Sequence, residues 1–281
     1  MKKILIMLFI ASLGVISCKK ESCENPFYCD WDTPFEVPPF DKIKIEHFKP
    51  AFLKGMEEEM AEVNAIISNT DEPTFDNTIR AMQFTGKLLQ KVQRAWGPLS
   101  GANTNDSIQA LQREMSPLFS RHSDDIALNE KLFERVKSVY ENREKFNLTP
   151  EESKLLEDEY LGFIRSGIGL SSENKEVLRK LNSELSLLGV RFGENLLAET
   201  NAFTLVIDNE QDLSGIPEGI RAQAAAAARA KNMEGKWLFT LQNPSYIPFM
   251  TYADNRALRE KMFRGYSMRG NNGNENDNNK I

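Results

Sequence analysis

The apolar positions step along most of the chain by three and four. Phe48, Phe52, Met56, Met60, Val63 and Ile67 are separated by four, four, four, three and four residues, which sets them on one face of a helix. Such a methionine spacing reads as core packing, not as a cofactor box. Asp71-Glu-Pro-Thr74 stops this helix and starts the next, whose stripe is Phe75, Ile79, Met82, Leu89, Val92 and Trp96. Gly97-Pro98 and Gly101-Ala-Asn-Thr104 predict a break. Beyond it Ile108, Leu111, Met115 and Leu118 continue, with Pro117 as a late kink or stop, and Leu128, Leu132, Val136 and Val139 carry the pattern to about Glu144.

Thr149-Pro-Glu-Glu152 combines a capping threonine, a proline at the first helical position and a glutamate three residues on, which completes a capping box. That helix runs to Gly167-Ile-Gly169. A longer one follows, with Val177, Leu181, Leu185, Leu188, Phe192 and Leu196 spaced as a seam between helices requires.

The period then shortens to that of strands. Residues 202–207 and 236–241 are short runs rich in β-branched and aromatic side chains. Between them Pro217 starts a helix containing five alanines, 224 to 228, whose small profile suits close packing. Asp254 is placed to cap a last helix carrying Leu258, Met262 and Tyr266, and Gly270 to end it. The fold class expected is therefore mainly α with one short strand pair.

The first seventeen residues change the picture. Lys2 and Lys3 precede an apolar run from Ile4 to Ile16, too short to cross a bilayer about 30 Å thick and ordered like a secretory signal. Its ending, Val15-Ile-Ser-Cys18, resembles a bacterial lipobox, so Cys18 is expected to carry lipid after cleavage. Lys19 and Lys20 give no acidic retention signal, which favours a periplasm-facing anchor in the outer membrane. Residues 18–40, with Pro26, Pro34, Pro38 and Pro39, read as an extended tether. Cys23 and Cys29 lie close enough to form a disulfide loop in an oxidising compartment, although two free thiols would suit a tether equally. The domains expected are a signal at 1–17, the tether at 18–40, a helical region at 41–200 and a strand-helix-strand-helix region at 201–281.

A net charge of −6, from 35 basic and 41 acidic residues, excludes the basic stripe of a nucleic-acid binder. Candidate chemistry is sparse. The sequence has two histidines, His47 and His122, and no His-Glu-x-x-His. Glu46 and His47 point in different directions on a helix. His122-Ser-Asp124-Asp125 could chelate a metal, but Asp124 is better placed to cap the helix that follows. Glu57-Glu-Glu59 reads as a solvated face. Arg256, Arg259, Arg264 and Arg269 read as an exposed face with internal ion pairs, and alternatively could meet a substrate carboxylate. No nucleophile elbow, phosphate loop or dinucleotide fingerprint is present.

Four stretches carry a resemblance. Glu46-His-Phe-Lys-Pro-Ala-Phe52, Pro73-Thr-Phe-Asp-Asn-Thr78, Asn243-Pro-Ser-Tyr-Ile-Pro248 and Tyr252-Ala-Asp-Asn-Arg-Ala-Leu-Arg259 are similar, in this order and spacing, to the thimet-type zinc oligopeptidases. Within that family they resemble bacterial peptidyl-dipeptidases most, and Arg269-Gly-Asn-Asn-Gly-Asn-Glu-Asn-Asp-Asn278 continues the likeness. The resemblance implies a large helical ellipsoid split by a substrate channel, hydrolysis of short peptides, and release of C-terminal dipeptides. It also implies zinc held by His-Glu-x-x-His and a later glutamate, in the family's C-terminal half. None of those catalytic or metal positions maps onto these residues. The chain is thus expected to supply one wall of the channel, to stop before the zinc-bearing domain, and to need no zinc of its own. The rival expectation is an intact lipid-anchored module that binds peptides or partners without catalysis.

Overall fold

Helix α1 (Ile45–Ile67) forms the spine of the first half, and the computed structural model describes it within residues 24–281. Its buried side is Phe48, Ala51, Phe52, Met56, Val63 and Ile66, close to the stripe expected. Helix α2 (Lys87–Ala102) lies against it at close range. Gly55 makes this approach feasible, because a Cβ there would sit 2.8 Å from the backbone N and Cα of Leu89. Helix α3 (Asp106–Ala127) completes the cluster. Phe48 and Phe52 meet Trp96 edge-on, and the Phe52 and Phe119 rings are 4.9 Å apart at 82°. This geometry suits the quadrupoles of aromatic rings better than a face-to-face sandwich.

Two boundaries differ from expectation. The stripe from Phe75 to Trp96 is not one helix: a π-helical turn (Phe75–Arg80) precedes a reversal at Gly86, whose φ of +70° favours glycine. Conversely, Gly97-Pro98 does not break α2, and Pro117 does not stop α3. A proline inside a helix forfeits one backbone hydrogen bond, and burial of Val92 and Ala95, or of Leu111 and Met115, holds these helices together across it.

A second cluster joins the end of α1 and the π-turn to α4 (Glu130–Glu141) and α5 (Pro150–Arg165). The capping box at the start of α5 is present as predicted. Thr149 Oγ1 accepts from Glu152 N at 3.2 Å, and the Glu152 carboxylate accepts from Thr149 N at 3.0 Å.

Helix α6 (Ser172–Ala202) leads to the third cluster. There β1 (Leu205–Ile207) pairs antiparallel with β2 (Trp237–Phe239), with Leu205 opposite Phe239 and Ile207 opposite Trp237. Helix α7 (Glu218–Arg229) covers β2 with the small faces of Ala224 and Ala228. Helices α8 (Asn243–Tyr252) and α9 (Arg256–Ser267) close the cluster around Phe249 and Met262. Asn255, not Asp254, caps α9 through Leu258 N. Asp254 instead accepts from the Ser214 hydroxyl at 2.7 Å.

The segment read as an extended tether is, over 24–40, a docked strap. It contains two short 3-10 turns, Pro26–Tyr28 and Pro34–Glu36. Phe27 is 1% exposed and packs its ring against Phe48 at 5.0 Å with a 57° tilt, so burying one aromatic ring overrides the extended preference of the prolines.

Candidate functional site

Each residue singled out for chemistry has its own, separate set of contacts. His47 Nδ1 accepts from Lys44 N at 3.0 Å at the start of α1, and Glu46 pairs with Lys44. His122 Nε2 lies 2.6 Å from Glu59 Oε2, with both side chains largely buried. Glu59 therefore does not belong to a solvated face. It sits where α1, α3 and the start of α2 converge, packed against Gly86, while Glu62 accepts from Gly86 N at 2.7 Å. Carboxylates suit this place because the first N–H groups of a helix have no partner inside it.

Asp124 does not cap α4; Asn129 does, accepting from Leu132 N at 3.0 Å. Asp124 lies within α3, 8% exposed, and accepts from Asn182 Nδ2 at 2.8 Å. The His122-Asp124 pair thus faces two different neighbours and does not converge on a metal. Among the described residues no group of three or more His, Cys, Asp or Glu is arranged to hold a metal ion. The donor set for a catalytic zinc is therefore not met by these residues.

Three of the arginines near the C-terminus are committed locally. Arg264 pairs with Glu260 at 2.8 Å, and Arg259 donates to the carbonyls of Ala253 and Asp254. Arg269 donates to Thr200 Oγ1 at 2.9 Å and lies 3.7 Å over the Tyr266 ring. It lines a cleft of about 480 Å³ with Leu196, Leu197, Pro244 and Tyr266. That lining combines leucine side chains with the Thr200 hydroxyl, the Gln242 and Asn243 amides, the Tyr266 phenol and a guanidinium, and contains no carboxylate, imidazole or thiol. Cys29 is disulfide-bonded; Cys18 and Cys23 lie outside the described residues.

The feature that the periodicity left open is the direction of α6. Its polar edge faces α3 and α4. Arg179 meets Asp125 at 2.6 Å, Asn182 meets Asp124, Ser116 donates to the Ser186 carbonyl at 3.1 Å, and Lys175 meets Glu130 at 2.7 Å. Arg113 and Glu194 extend the same seam. The apolar stripe points away from it. Val177, Leu181, Leu185 and Phe192 are 51, 56, 66 and 48% exposed. Of the expected seam, Leu188 and Leu196 are half-buried, while Val177, Leu181, Leu185 and Phe192 form a stripe left uncovered among the described residues. Isolated exposed leucines are ordinary, whereas a contiguous row along one helix marks an interaction surface.

At the far end of α6 the Asn-rich segment is built, not loose. Glu199, 7% exposed, accepts from Gly270 N at 2.6 Å, Asn272 Nδ2 at 2.7 Å and Asn274 Nδ2 at 2.6 Å. Asn278 N donates to the Gly270 carbonyl at 2.7 Å, and Asn195 donates to the Asn278 side chain at 2.8 Å. The sequence signal was the run of Asn and Gly itself, whose side chains and left-handed backbone serve turns. Its buried carboxylate partner lay too far away in sequence to be read.

No protein-family model matches the chain. Over 85% of its length it is 37% identical to the dipeptidyl carboxypeptidase of Escherichia coli, covering 35% of that protein. It is 32% identical over 84% of its length to oligopeptidase A of the same organism, again covering 35% of that protein. The organellar oligopeptidase A of Arabidopsis thaliana is 28% identical over 89% of the chain, which covers 32% of it. The chain spans about a third of the length of these curated relatives.

Proposed function

The chain belongs to the thimet-type oligopeptidase family, and from that premise we propose that these residues form one wall of the substrate channel of a peptide-hydrolysing enzyme. The substrates are short peptides, and the reaction releases C-terminal dipeptides with zinc supplied by another region of such an enzyme. When bound, zinc would lower the pKa of its water to give a nucleophile near neutral pH. The residues described here do not hold that metal. They shape and exclude: their ordered helices limit what can enter, and the uncovered stripe on α6 packs against the zinc-bearing region. Alone, the chain does not hydrolyse peptides.

The observation that carries this reading is the orientation of α6. Hydrogen bonds and ion pairs fix its polar edge to α3 and α4, leaving Val177, Leu181, Leu185 and Phe192 as a row for another surface. The proposal includes a cell-envelope location, with lipid on Cys18 as an outer-membrane anchor facing the periplasm. The Lys2-Lys3 start, the apolar run and Val15-Ile-Ser-Cys18 support it.

Zinc titration of the purified chain, combined with an assay for dipeptide release from short peptides, tests the proposal. We expect neither stoichiometric zinc binding nor turnover. Tight one-to-one zinc binding accompanied by dipeptide release would contradict it.

A further inference from the structure

The strap before α1 presents an apolar side chain with almost no cover. Phe35 is 99% exposed, and both Phe35 and Glu36 adopt left-handed backbone, with φ of 57° and 54°. That conformation is unfavourable away from glycine and tends to persist at functional sites. The turn is nonetheless closed firmly. Glu36 N donates to the Thr33 carbonyl at 3.0 Å, and Thr33 Oγ1 donates to the Val37 carbonyl at 2.6 Å. The fold thus holds a phenylalanine outward at a disfavoured backbone position, and no burial within the described chain offsets this.

Phe35 rims a cavity of about 610 Å³ together with Trp31, Phe84, Lys87, Lys91 and Arg94. Phe84 is 60% exposed, and Val37 and Phe40 on the strap are 50 and 44% exposed. Lys91 is committed: its Nζ lies 4.5 Å over the Trp31 ring and donates to the Cys29 carbonyl. Lys87 and Arg94 are exposed and form no ion pair with a described carboxylate; Lys87 Nζ lies 5.6 Å over the exposed Phe84 ring, and Asp30 and Glu36 also line the cavity. The result is an open surface of protruding aromatic rings flanked by two exposed cations, on a chain whose net charge is −6.

Aromatic rings and basic side chains together suit the boundary between headgroups and acyl chains. The rings settle at that depth, and each lysine or arginine gains from anionic lipid. The position along the chain agrees. Five residues lie between Cys18 and Glu24, so full extension over six Cα steps allows at most about 20 Å between them. An acyl chain on Cys18 would keep the strap close to the membrane surface.

We propose that the face bearing Phe35, Phe84, Lys87 and Arg94 contacts the bilayer, taking anionic phospholipid headgroups and orienting the helical body on the membrane. The proposal rests on the lipid anchor read at Cys18. A Phe35→Trp variant of the full chain, reconstituted into vesicles of phosphatidylglycerol and phosphatidylcholine with brominated acyl chains, tests it. The emission gained over the parent chain should be quenched about twofold or more, as expected for an indole at the interface. A Phe263→Trp variant, with the probe on exposed α9, should gain no quenching, and Lys87→Gln with Arg94→Gln should weaken the dependence on phosphatidylglycerol. Absent quenching at position 35, or equal quenching at position 263, overturns the proposal. So does a spectral change that grows with protein concentration without vesicles, which identifies a second copy as the occupant. The mass of the purified chain reads acylation separately. An unmodified Cys18 contradicts the anchor, while quenching by added vesicles still decides the surface.

Discussion

Glu199 on α6 accepts a hydrogen bond from the backbone N–H of Gly270, 71 residues later, across 2.6 Å of buried space. The same carboxylate takes the side-chain amides of Asn272 and Asn274, so one residue organises a whole turn-rich segment. Replacing Glu199 with Gln puts an amide donor where only donors converge. The loss should be about 1–3 kcal/mol, the usual cost of leaving buried polar groups unmatched, read from the denaturant midpoint. Gly270→Ala should also destabilise, because φ is +73° and a Cβ would lie 2.6 Å from Asn278 Nδ2.

The pH response of this segment has a definite sign. Backbone N–H groups of Asn279 and Gly273 donate to Asp277 and hold its pKa below the ordinary aspartate value. A lowered folded-state pKa gives stability that is complete above the unfolded value, about 3.9, and lost as pH falls through the folded one. Hydrogen exchange at Gly273 N–H, corrected for its intrinsic pH dependence, should therefore lose protection below about pH 4. Asp277→Asn should abolish that pH dependence.

Gly55 sets two rules against each other. Alanine at a helix-interior glycine gains about 1 kcal/mol in intrinsic propensity. Here the new methyl would meet the Leu89 backbone at 2.8 Å, and backbone cannot swing aside as a flexible side chain can. Overpacking costs about 1–3 kcal/mol, so Gly55→Ala should be destabilising in an equilibrium unfolding experiment despite its better propensity.

Glu59 and His122 join α1 to α3 at 2.6 Å in a largely buried setting. Either single alanine replacement leaves the other group without its partner, at a cost of about 1–3 kcal/mol. The double replacement should cost less than the sum of the two. A double-mutant cycle on unfolding free energies measures this, and additive losses would show that the pair is uncoupled.

Local features were legible in the sequence, and direction was not. Thr149 and Glu152 form the box that their three-residue spacing predicts, because a cap is settled within one turn of helix. Phe48, Phe52 and Val63 are buried as their period requires. The sequence neighbours of Asp124 make it a candidate cap, but its partner Asn182 is 58 residues away. Glu59 looked solvated for the same reason, since nothing near it in sequence announces His122. Periodicity showed that α6 has an apolar face. It could not show that Arg179, Asn182 and Lys175 would dock the helix by its polar edge instead.

That inversion of α6 is the centre of the account, and dye binding by a stripe variant tests it most directly. Leu181→Glu with Leu185→Glu changes two side chains that are 56 and 66% exposed. Fluorescence of a hydrophobic dye bound to the chain should fall severalfold, while the unfolding free energy changes by no more than about 0.5 kcal/mol per site, as at ordinary surface positions. A large loss of stability together with increased dye binding would contradict the account, because it would mean that the stripe belongs to the protein's own core.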